Sequence, residues 1–75
     1  MARILLVEDH LDVRLLLEHV MLDSGYTVDA AETLAQARAL LDSTAYDLVI
    51  ADGKLSDGSG IEIADAAKEL GIKTC

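Results

Sequence analysis

The chain has no Phe and no Trp, and Tyr26 and Tyr46 are its only aromatic residues. Any core must therefore be built from Leu, Ile, Val and Ala. A single cysteine, Cys75, excludes an internal disulfide, and no Cys/His cluster marks a structural zinc. Basic residues are scarce as well: six Lys and Arg stand against fourteen Asp and Glu, giving a net charge of −8. Phosphate contacts need Lys and Arg, so neither nucleic acid nor an anionic membrane surface is expected as a direct partner of this segment. The first apolar run is four residues long and acids follow it at once, which is not the pattern of a signal peptide. No stretch nears the roughly 20 apolar residues of a membrane span. A cytoplasmic location is the default expectation.

What is present is a globular composition, 52% apolar over 75 residues, with no repeat, linker or low-complexity block. Such a chain fits at most one domain, and its small size makes it marginal without help. Ile4 to Val7 reads as a first strand covered on both faces. A helix is predicted from about Leu11 to Asp23, with Val13, Leu16, Leu17, Val20 and Met21 at helical spacing and Gly25 as its stop. Tyr26 to Ala31 alternates weakly and suits a second, edge strand. Thr33-Leu34-Ala35-Gln36 has the form of a capping box, opening a helix to about Asp42 that buries Leu34, Ala37 and Leu41 with Leu40 alongside. Leu48 to Ala51 is a third strand. Ser59-Gly60-Ile61-Glu62 opens a third helix, to about Leu70, with Ile63, Ala64, Ala67 and Leu70 inward and Gly71 ending it. Ile72-Lys73-Thr74-Cys75 looks like the opening of a fourth strand, with Cys75 as a small buried hydrophobe.

Strands alternating with helices signify parallel α/β folding with right-handed crossovers. A flavodoxin-like order, 2-1-3-4-5, sets the first and third strands side by side, and ligands then sit beyond their carboxyl ends. The first strand ends in Glu8-Asp9 and the third in Asp52, so three carboxylates are expected to converge. Like charges held that close repel unless a cation neutralises them. The natural reading is a magnesium-dependent acidic pocket with Asp52 as the group that attacks a phosphoryl centre. Taken singly, Asp52 is an ordinary strand-end turn residue and Asp9 an ordinary helix cap.

The segments Arg3-Ile4-Leu5-Leu6-Val7-Glu8-Asp9-His10 and Asp47 to Gly60 together resemble the receiver domain of two-component response regulators. The resemblance runs over the whole chain, which is shorter than the family's domain: residues 1–75 would be its N-terminal portion, truncated at the start of the fourth strand. It implies that Asp52 accepts phosphate from a histidine kinase or histidine phosphotransfer protein and so switches an output domain or partner protein. It implies Mg2+ held by Glu8, Asp9, Asp52 and the backbone carbonyl of Lys54. It implies a signalling module rather than an enzyme, capable at most of self-phosphorylation and autodephosphorylation. The alternative is a phosphorylation-independent interaction module on the same scaffold. The family's Ser/Thr at the end of the fourth strand and its Lys after the fifth have no counterpart here, Thr74 being too early in its strand.

Two departures stand out. Ser56 replaces the family's usual proline, which frees the loop. Lys54 is placed where its side chain could partly neutralise the acids and alter phosphate lifetime, or could simply be solvated. His10, next to the acids, could hydrogen-bond there, but Mg2+ prefers oxygen and a helix-surface position is expected; His19 is expected on the solvated side of the first helix. Rival motifs fail on residues: a dehalogenase-like hydrolase needs Asp where Lys54 stands, an EF-hand needs Gly where Asp57 stands, and a dinucleotide fingerprint needs Gly where Ile63 stands.

Overall fold

A computed structural model of the protein describes residues 2–74. The elements run β1 (Arg3–Val7), α1 (Leu11–Asp23), β2 (Thr27–Ala31), α2 (Leu34–Ser43), β3 (Leu48–Ala51), α3 (Gly60–Glu69) and β4 (Lys73–Thr74). The four strands form one parallel sheet in the order β2-β1-β3-β4. The doubly wound topology is as expected, β2 is an edge strand, and every helix lies within a residue of its anticipated bounds. Cys75 lies outside the described residues.

Strand residues alternate between the two faces of a sheet. Leu5, Val7 and Val49 face one way and join Ala31, Leu34, Ala37, Leu41, Tyr46, Leu55, Ile63 and Ala67 in a continuous core beneath α2 and α3. Each buried Leu, Ile or Val contributes roughly 1.5–3 kcal/mol relative to exposure. Right-handed crossovers put α1 on the opposite face, where it packs on β1 and β2. There Ile4 and Leu6 are also buried.

That second layer departs from the predicted pattern. No residue of α1 is fully buried. Leu17 and Met21 are half-buried, but Leu16 is 63% exposed and Val20 52%, with Val13 exposed too. One helix lies over β1 and β2 only, so its far flank has no apolar neighbour among the described residues. Leu70, anticipated inward, is the C-cap of α3 and exposed, because the chain has already left the helix there.

The helix ends follow from local chemistry. Tyr26 N–H donates to Met21 O at 3.1 Å and Gly25 N–H to Leu22 O at 3.0 Å, closing α1 as a Schellman motif with Gly25 at φ 91°. Gly71 ends α3 in the same way. The Thr33 hydroxyl accepts from Gln36 N–H, but the Gln36 side chain accepts from Glu32 N–H rather than Thr33, so the predicted box at α2 is only half formed. At α3 the box of Ser59 and Glu62 is complete. At the amino end of the sheet, the buried Tyr46 hydroxyl donates to Asp29 at 2.7 Å, and Arg3 pairs with the same carboxylate at 3.0 Å. Burial, then the Asp29 contact, pushes the Tyr46 hydroxyl up to about 12.

Candidate functional site

The pairing of Val7 with Ala51 puts the exits of β1 and β3 level at the carboxyl end of the sheet. Asp52 N–H donates to Val7 O at 2.9 Å and Glu8 N–H to Ala31 O at 3.0 Å, so both acids leave their strands side by side. Asp9 is the next residue and His10 the N-cap of α1. One donor atom from each of Glu8, Asp9, His10 and Asp52 lies within 4.8 Å of all the others. Asp9, His10 and Asp52 face a hollow of about 460 Å³ that Lys54, Leu55 and Ser56 complete, with Glu8 buried behind them. The expected convergence of Glu8, Asp9 and Asp52 is therefore present, and Lys54 stands on the rim of the same hollow.

The electrostatics are lopsided. Glu8 is buried, Asp9 and Asp52 half-buried. Asp9 Oδ1 is buried with no hydrogen-bond partner among the described residues. The His10 ring nitrogen 3.0 Å away is not aligned as a hydrogen bond to it, and this oxygen beside two further acids makes a donor set that fits a divalent cation. Asp9 does not cap α1 as the simpler reading supposed; the N-cap is His10, with no side-chain cap bond. His10 is exposed at the start of α1, as anticipated, but its Nδ1 also lies 3.1 Å from Glu8 Oε2 and 3.0 Å from Asp9 Oδ1. The hydrogen bond to Glu8 and the charge of Asp9 raise its pKa above 6.5. The cation-capable ring among the acids is His10; Lys54 makes no ion pair among the described residues. His19 is exposed on α1, as anticipated.

Two supports escaped sequence reasoning. Arg14 sits one turn into α1 with a side chain only 14% exposed. Its Nη1 donates to Glu8 O at 2.9 Å and its Nη2 reaches Glu32 at 3.5 Å, which ties the β1–α1 turn to the end of β2. Periodicity groups Arg14 with the polar positions of α1, off the apolar stripe, and so gives no sign of this role. Asp57, in the loop after β3, accepts from Leu34 N–H at 2.8 Å and Ala35 N–H at 3.1 Å, the first amides of α2. Those two bonds, Leu34's first, hold its pKa below the ordinary 3.8. Together with buried Leu55, they fix the loop that carries Asp52 and Lys54.

The Asp57 contact has a pH signature. Its folded-state pKa is depressed, so its contribution is present above the unfolded value and lost as pH falls through the folded one. Asp57→Asn is expected to lower Tm at neutral pH, with the gap from wild type closing below about pH 4. Thermal melts across that range decide it; a gap that stays constant would refute the assignment.

The β3–α3 junction is tight. Gly60 N–H donates to Gly53 O at 3.3 Å, and Ser59 Oγ to the same oxygen at 3.2 Å. A Cβ on Gly60 would overlap the backbone oxygen of Asp52. The helix thus starts directly against the Asp52 peptide.

Comparison with known proteins agrees with this geometry. The family model "Response regulator receiver domain" matches residues 4–74. The alginate biosynthesis transcriptional regulatory protein AlgB of Pseudomonas putida is 34% identical over 62 residues, 83% of this chain but only 14% of that protein. The response regulator TrrA of Thermotoga maritima, solved in complex with Mg2+-BeF, superposes with a TM-score of 0.90 at 37% identity, covering 99% of this chain and 66% of that one. The same regulator in complex with histidine kinase ThkA gives 0.89 at 36% identity, again over 99% and 66%. The chain thus spans about two thirds of the solved relatives and a small part of the curated regulator. With the parallel sheet, the paired acids and a family match across nearly its whole length, this chain belongs to the response regulator receiver domain family.

Proposed function

We propose that Asp52 accepts a phosphoryl group from the phosphohistidine of a histidine kinase or phosphotransfer protein, in the cytoplasm, and that residues 1–75 form the N-terminal portion of one receiver domain. The observation that carries this reading is the convergence of Glu8, Asp9 and Asp52 within 4.8 Å at the carboxyl ends of adjacent strands. An Asp52 carboxylate oxygen attacks phosphorus, the P–N bond breaks, and the imidazole leaves as the acylphosphate forms. Glu8, Asp9, Asp52 and the Lys54 carbonyl would hold Mg2+, which supplies the charge neutralisation that lets an anionic phosphoryl group approach acids. Arg14 and Asp57 keep the two strand-end turns in place while this happens. Exposed Lys54 is free to reach the incoming phosphoryl oxygens. The Mg2+-BeF complex and the kinase complex of the Thermotoga relative support the cation and the donor. Phosphorylation then biases an output surface read by a partner protein or a further domain.

Intact mass after incubation with a small phosphodonor tests the proposal. The expected result is a gain of one phosphoryl group that disappears when a chelator removes the divalent cation. No gain with Mg2+ present would replace this reading with that of a phosphorylation-independent interaction module.

A further inference from the structure

We infer that His10 is itself a ligand in the acidic pocket and biases the site toward divalent transition ions, such as Ni2+ and Zn2+, over Mg2+. The inference rests on the cation-dependent reading of Asp52 and its neighbouring acids. Three observations carry it. The ring is held at the N-cap of α1, where its Nδ1 points back to Glu8 and Asp9 at 3.1 and 3.0 Å. All four donors, Asp52 included, lie within 4.8 Å of one another. Ligands at about 2.0–2.2 Å from one ion stand at most roughly 4.4 Å apart, so only a small contraction is needed. Finally, Asp9 Oδ1 is buried and lacks a hydrogen-bond partner among the described residues although the ring is beside it, so the ring does not satisfy the cluster.

The donor chemistry sets the preference. Carboxylates, carbonyls and water suit Mg2+, whereas an imidazole nitrogen adds affinity that rises along the first-row divalent series. A set of three carboxylates and one imidazole therefore discriminates in a way that an all-oxygen set does not. The consequence is regulatory: a transition ion seated through His10 would occupy the place where Mg2+ and the phosphoryl oxygens must meet.

Calorimetric titration of Ni2+ and Mg2+ into the wild type, His10→Ala and Asp52→Asn proteins tests this. The expected result is that His10→Ala weakens Ni2+ by at least about tenfold, the lower end of what loss of even an outer-shell partner costs a metal site. Mg2+ affinity should change far less, while Asp52→Asn weakens both ions. Under Zn2+, the His10 Nδ1 resonance should move while that of His19 stays, giving an internal control. Equal effects of His10→Ala on both ions, or an unmoved His10 resonance, overturns the inference and leaves the Mg2+ reading standing. Failure of the wild type to bind either ion overturns both.

Discussion

On the proposed function, Asp52→Asn is expected to abolish phosphoryl uptake completely while leaving the fold as stable as before or more so. The carboxamide oxygen is not a nucleophile of comparable strength, and no other group in the hollow takes over the attack. The substitution is nearly isosteric, and the Asp52 carboxylate accepts no hydrogen bond among the described residues, so no contact is lost. What changes is the charge: one of three crowded acids becomes neutral, which relieves repulsion in the absence of a cation. Mass spectrometry with a phosphodonor reads the first effect and a thermal melt in chelator reads the second. Persistent uptake would move the acceptor elsewhere, and a marked fall in Tm would mean that Asp52 holds the fold together.

Gly60→Ala is expected to be the most damaging single methyl in the molecule. The new Cβ would overlap the Asp52 backbone oxygen, and a peptide flanked by β3 and the Gly53 hydrogen bonds cannot step aside as a side-chain tip would. Overpacking typically costs about 1–3 kcal/mol and more where backbone must move. At roughly 0.05–0.15 kcal/mol per residue, a 75-residue chain has on the order of 4–11 kcal/mol in total. One methyl therefore removes a large share of the stability, and the molecules that remain folded have a displaced Asp52. Denaturant melts together with divalent-cation titration should show both losses. Alanine tolerated with unchanged affinity would mean that α3 can pivot away from β3.

The convergence of Asp52 with Glu8 and Asp9 was legible because it hangs on one strong signal. Short apolar runs ending in acids, separated by helical periodicity, dictate both the parallel order and what meets at its carboxyl edge. Ser59 and Glu62 announced the third helix for an equally local reason. Less was visible where a residue works at a distance. Asp57 reads as a turn aspartate, yet its partners are the amides of Leu34 and Ala35, more than twenty positions earlier. Arg14 looks like the solvated side of α1, whereas its guanidinium holds the Glu8 carbonyl. The α1 stripe misled in the opposite direction. Periodicity reports which face a helix can bury, and Leu16 and Val20 belong to that face, but how much is covered depends on neighbours that periodicity does not supply.

The all-parallel ladder has a kinetic consequence. No strand pair here can form as a local hairpin, and Ile4 reaches Leu48 only after two helices and the edge strand have intervened. Loop closure must be met before such pairings give any return, so topology rather than helix formation governs the folding rate. On the ribosome, Glu8 and Asp9 emerge long before Asp52, and the last side of their pocket arrives with the turn into α3. The nascent chain thus carries the first half of its acidic cluster without the second. A cation held by all three acids would accordingly reward only species in which β3 has already joined β1, and so would pull that pairing forward.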